Sequence, residues 1–151
     1  MNGKIEYGFG RDYLPNWTLT EALREVFQNY IDYGEYKIKS FPTRNTDIIR
    51  ITVSNNYIPN KLEFLRIGNT DKGDNSEAIG HHGEGLKVAF LIFLREGLFF
   101  RIRSKFITLD PNWSTDELIG ETLRIDYNDR LSSFNTFTTT FNIPKDIYNN
   151  L

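Results

Sequence analysis

The stretch "GHHGEGLKVAF" (Gly80–Phe90) decides how the chain reads. Three glycines sit among two histidines and a glutamate, and an apolar run follows from Val88 to Leu94. Glycine lets a bulky ligand come close to the backbone and reaches conformations closed to other residues. A helix N-terminus adds free N–H groups and a partial positive charge, a combination that suits phosphate. Residues 69–85 therefore read as a Gly-rich polar loop. It feeds a helix, "LKVAFLIFLREG", buried nearly all round and stopped at Gly97. Gly80, Gly83 and Gly85 are the candidate phosphate-facing positions, and Lys87, read in the first turn, is a candidate point charge. The spacing G-x-x-G-x-G also serves ordinary turns, and the Lys-Ser/Thr ending of a P-loop is missing.

Upstream, "NWTLTEALREVFQNYIDYGEY" reads as a helix. Thr18 and Glu21 have capping-box spacing, Leu19, Leu23, Val26, Phe27, Tyr30 and Ile31 repeat at helical period, and Gly34 is a C-terminal stop. Glu25, Asn29 and Asp32 share the opposite, polar face at i, i+4 and i+7. Such a face is ordinarily just solvated. Its chemistry also suits a metal-bound phosphate: an amide oxygen is a hard ligand for Mg²⁺, and a carboxylate one turn away can orient or deprotonate water.

"DIIRITVS" alternates as a strand, and "LFFRIRSKFITLD", "ETLRIDYND" and "FNTFTTTFNIP" read as three more. "NKLEFLRIG" fits an extended piece or a short helix. The expected fold is a single-domain α/β (α+β) two-layer sandwich over residues 1–151, its sheet mostly antiparallel but mixed, covered on one face by helices.

The 151 residues carry 18 Lys+Arg against 20 Asp+Glu, a net charge of −2. That balance argues against a broad nucleic-acid-binding surface and leaves a local basic patch open. Absence of cysteine excludes disulfides and thiolate metal sites. No apolar run is long enough to span a bilayer and no signal peptide is legible, so the expectation is a cytoplasmic protein without a membrane partner. Abundant Asn and Ile suggest an AT-rich bacterial or phage genome. His81 and His82, the only histidines, are adjacent, which disfavours a shared zinc site. Trp17 and Trp113 read as core or interface residues, and Arg101, Arg103 and Lys105 as a solvated strand face, with a partner or nucleic-acid contact there as the minor alternative.

Three of these segments together resemble the GHKL ATPases, the superfamily of gyrase, heat-shock chaperone, histidine kinase and MutL relatives. "EVFQNYID" (Glu25–Asp32) is similar to the E-x-x-x-N-x-x-D box. "NTDKGDNSEAIGHHGEGLKVAF" resembles the ATP lid and second glycine box, with Thr70-Asp71-Lys72 in place of the MutL-type T-S-K. "TFTTTFNIP" resembles the closing threonine strand. The resemblance spans residues 18–143 and implies a Bergerat nucleotide fold binding ATP or ADP with Mg²⁺. It implies Glu25 as general base, Asn29 as the Mg²⁺ ligand and Asp32 lining the nucleotide. Gly80, Gly83 and Gly85 would give N–H groups to the phosphates, Lys72 would approach them from the lid, and Thr139 or Thr140 would fix adenine.

The chain departs from the family at the first glycine box, D-x-G-x-G. After "IIRITV" it reads "SNNYIPN" (Ser54–Asn60), so Asn55 or Asn56 stands where the adenine-reading Asp belongs. An alternative alignment gives that role to Asp71-Lys72-Gly73 and crowds the lid. The lid is short, and because the sequence ends soon after the threonine strand the expectation is that no transducer domain supplies a lysine. Hydrolysis is therefore expected to be weak or partner-dependent. Two other functions stay open: a non-catalytic regulatory or inhibitory protein with a protein partner, and an anti-sigma-type serine kinase. The N-terminal "MNGKIEYGFGRDYLP" could support a homodimer or pack locally.

Overall fold

The computed structural model describes residues 2–31, 34–56, 81–105, 107–129 and 136–150. Seven strands form one open sheet: β1 (Asn2–Gly10), β2 (Lys37–Pro42), β3 (Ile48–Asn55), β4 (Phe100–Arg103), β5 (Ile107–Asp116), β6 (Gly120–Asp129) and β7 (Phe137–Pro144). The helices are α1 (Leu19–Ile31), α2 (His81–Arg95) and the short α3 (Lys145–Asn149). Strand order is β1-β6-β5-β4-β7-β3-β2. Every described pairing is antiparallel, so the expected mixed sheet is corrected to an antiparallel one.

The helix α1 forms where its capping box predicts. The Thr18 N–H donates to the Glu21 carboxylate, and the Thr18 hydroxyl accepts from the Thr20 N–H at 3.3 Å. Gly34, at φ 103°, donates back to the Ile31 carbonyl. Helix α2 ends in a Schellman turn: Gly97 has φ 72°, its N–H meets the Leu94 carbonyl, and the Leu98 N–H meets that of Phe93. Arg95, in the last turn, donates to the carbonyls of Arg11, Tyr13, Leu14 and Trp17. It thereby fastens the β1–α1 connection, where Leu14 holds a left-handed φ of 51°.

Both long helices cover one face of the sheet. Phe27 of α1 meets Phe141 edge-on, Phe93 of α2 lies 5.4 Å from Phe141, and Phe90 and Phe93 pack on Phe100. Alternation sends Ile51, Val53, Phe137, Phe141 and Ile143 into this core and leaves Arg50, Thr52, Thr140 and Asn142 on the other face.

Several elements differ from the sequence expectation. The segment read as one strand from Leu98 to Asp110 is two, β4 and β5, turned at Ser104, whose N–H meets the Ile107 carbonyl. β5 then runs on through Pro111. β4 pairs with β5 only at Ile102–Leu109 and Arg103–Thr108, so beyond that point β5 has a side where a missing N–H costs no ladder bond. "NGKIEYGFG" is edge strand β1, paired with β6. "KIKSFP" is the opposite edge, β2, exposed along its whole length.

Candidate functional site

The largest revision concerns the glycine segment. α2 begins at His81, five residues before the expected start, so Gly83 and Gly85 lie inside the helix and not in a loop. Only the first four N–H groups of a helix lack an internal partner. Gly85 stands beyond them, so its N–H is committed to the helix. Its lack of a side chain serves a different purpose: a Cβ there would fall on the Glu25 carboxylate. Helix α1 thus lays Glu25 directly on the backbone of α2.

Asn29, one turn further along α1, is 7% exposed, and Glu25 is half-buried. The neighbouring Tyr30 belongs by sequence to the apolar stripe of the helix. Its hydroxyl bonds Thr139 Oγ1 at 2.8 Å and reaches the Phe137 carbonyl at 3.3 Å. The sequence signal was a hydroxyl-bearing ring in an otherwise apolar stripe, which needs a partner once buried. Phe137 in turn stands opposite Asn55, the last residue of β3. Asn55 is 6% exposed, and neither its Oδ1 nor its Nδ2 finds a hydrogen-bond partner among the described residues. Asn56 is exposed.

Glu25, Asn29 and Asn55 therefore belong to one helix-covered end of the sheet. Thr139 belongs there too, buried with its hydroxyl on Tyr30. Thr140 does not: it lies on the other face, 3.5 Å from the Thr52 hydroxyl. Lys87 is in the second turn of α2, not the first, and is wholly buried, with Nζ 5.0 Å from the centre of the Tyr7 ring. Asp32, Lys72 and Gly80 lie outside the described residues, as do Thr70-Asp71, Gly73 and the segment "NKLEFLRIG". Comparison with protein-family models, curated proteins and solved structures finds no match. No described helix is long and apolar enough to cross a membrane.

Burial pushes the Tyr30 phenol well above its ordinary pKa of 10.0, partly offset by the hydrogen bond to Thr139. Burial likewise raises Tyr7. A raised phenol pKa means the folded state holds its proton where the unfolded state has lost it. Stability from this source is complete below pH 10.0 and falls as pH climbs through the folded-state value. Tyr30→Phe should remove part of that alkaline loss and cost about 1–2 kcal/mol at neutral pH, because the Thr139 hydroxyl is left buried without its partner. Urea unfolding at pH 7 and pH 11 checks both; an unchanged midpoint at pH 7 would show that the bond contributes nothing.

Proposed function

We propose that this chain is a GHKL-type nucleotide-binding protein that takes Mg-ATP at the end of the sheet bearing Glu25, Asn29 and Asn55. The observation carrying this reading is the seating of Glu25 on Gly85. It joins the acidic box of α1 to the glycine box of α2, segments far apart in sequence. The buried carboxamide of Asn55, without a partner among the described residues, supports it, since a buried polar group without a partner is costly unless a ligand satisfies it.

The residues present fit a magnesium-bound triphosphate in part. Asn29 would offer a hard amide oxygen to the metal. Glu25 would hold a water and accept its proton at the carboxylate. Magnesium, when bound, neutralises charge on the phosphates. Asn55 Oδ1 would accept from the amino group of adenine. As a neutral amide it forgoes a charge-assisted bond worth about 1.5–3 kcal/mol, one to two decades of affinity. Lys87 does not fit, because its ammonium lies over Tyr7 inside the core.

One observation favours a second reading, a regulatory binding protein without turnover. Thr139 is engaged by Tyr30 and Thr140 faces away, so the adenine-fixing threonine of the family has no free equivalent here.

Calorimetric titration with a non-hydrolysable ATP analogue, with and without Mg²⁺, tests the main reading. Micromolar, Mg²⁺-dependent binding is expected. Asn55→Leu should abolish it while raising stability by about 1–3 kcal/mol, because an apolar side chain of similar size removes an unsatisfied polar group. No binding at millimolar nucleotide would reject nucleotide binding and leave the regulatory reading.

A further inference from the structure

The sheet face turned away from the helices is ordered in rows. Pairing sets Phe41, Arg50, Asn142 and Phe99 side by side across β2, β3, β7 and the residue just before β4. The next row is Lys39, Thr52, Thr140 and Arg101. The third is Lys37, Ser54, Thr138 and Arg103, in which Thr138 is buried and its hydroxyl bonds that of Thr136 at 2.7 Å. Two rows thus share one composition: a lysine on the edge strand, two hydroxyls in the middle, and an arginine on β4. Rows two residues apart along a strand repeat at about 6.8 Å, and four strands span about 14 Å.

The three rows hold five cations and no carboxylate. Among the described residues, Asp110 on β5 takes Arg101 through two hydrogen bonds, at 2.7 and 3.1 Å. A chain with net charge −2 therefore concentrates positive charge on half of one face. The first row adds aromatic surface. Phe41 is 45% exposed and Phe99 is 36% exposed, both high values for phenylalanine. Phe99 lies between two guanidiniums, with Arg50 Cζ 4.6 Å and Arg101 Cζ 5.7 Å from its ring.

We infer that this face is a binding platform for single-stranded nucleic acid. Cations along a flat surface track a phosphate backbone, hydroxyls bond phosphate or sugar oxygens, and exposed rings stack bases. An acidic protein surface would use the cations but has no need of the exposed rings. Strand backbone in the middle of the sheet is already hydrogen-bonded, so recognition falls to these side chains. The platform is on the opposite face from Glu25, Asn29 and Asn55, so it stands or falls independently of the nucleotide site.

The test is fluorescence anisotropy of a labelled oligothymidylate of about twelve nucleotides, within the usual footprint of such platforms. A polyglutamate peptide of equal length is the control, and salt is varied throughout. Binding should weaken with salt at a log–log slope of about −2 to −3.5, as for three to five phosphates neutralised on a single strand. Lys37→Gln with Lys39→Gln, both at exposed positions, should weaken binding about tenfold and reduce the slope by about 1.4. Phe99→Leu should weaken binding at least about fivefold with the slope unchanged. Three results would each overturn the inference. They are no oligonucleotide binding at low salt, binding indifferent to the lysine pair, and polyglutamate binding as tightly with Phe99→Leu without effect. The last would assign the face to acidic protein partners instead.

Discussion

On the proposed Mg-ATP site, Gly85→Ala is expected to abolish ATP turnover while leaving the fold intact. The added methyl would occupy the space of the Glu25 carboxylate, the far end of a flexible, half-buried side chain that can rotate aside. Alanine in a helix interior gains about 1 kcal/mol over glycine, which offsets the cost of that rearrangement. The melting temperature should therefore move by only a few degrees. Turnover should not survive, because a general base displaced from its water loses about 10²–10⁴-fold. Glu25→Ala should match it, and the double variant should lose no more than either single one, since both remove the same contribution. Nucleotide affinity should persist in all three. Phosphate release and thermal melts on the set decide the matter. Full turnover in Gly85→Ala would show that Glu25 does not act from its seat on α2.

The same glycine explains where the sequence was legible and where it was not. Helix α1 was readable because its signals are local: a Thr18–Glu21 box, an apolar stripe and a glycine stop. β3 and β7 were readable from alternation, and α2 was readable from Leu86 to Gly97. Its first turns were not, because intrinsic propensity counts Gly83 and Gly85 against a helix by about 1 kcal/mol each. What overrides propensity at Gly85 is a side chain from 60 positions earlier, invisible to any local window. The edge strands failed for a different reason. β2 is exposed throughout and carries lysines, which protect an edge from further pairing but erase the alternation that marks a strand. β1 did alternate, at Ile5, Tyr7 and Phe9, beneath glycines that disguised it. Among the candidate site residues, Glu25, Asn29 and Asn55 were singled out by their place in a motif. Tyr30 was not, since its role depends on which strand lies across from it. The basic face was legible only in part: Arg101 and Arg103 alternate on one strand, but Lys37, Lys39 and Arg50 join them only through the strand order.

Phe141→Ala carries the largest expected cost in stability, about 3–5 kcal/mol. Its ring is fully buried and faces Phe27 of α1, Phe93 of α2 and Phe100 of β4 at 6.5, 5.4 and 6.4 Å. No smaller side chain can touch all three elements, and a cavity between two helices and a sheet closes poorly. For a domain of ordinary net stability, about 5–15 kcal/mol, this is a large share of the total. Phe41→Ala, on the open face, should cost well under 1 kcal/mol, which separates loss of core from loss of an aromatic ring. Urea unfolding with an unchanged m-value is the measurement. A cost for Phe141→Ala below about 1 kcal/mol would contradict the packing of both helices on this strand. The effect should reach the candidate site as well. Phe141 and Thr139 are alternate residues on the same face of β7, and the Tyr30–Thr139 bond holds the C-terminal half of α1, with Asn29, to that strand. Loosening Phe141 should therefore weaken nucleotide binding before the protein unfolds, whereas Phe41→Ala should leave it untouched.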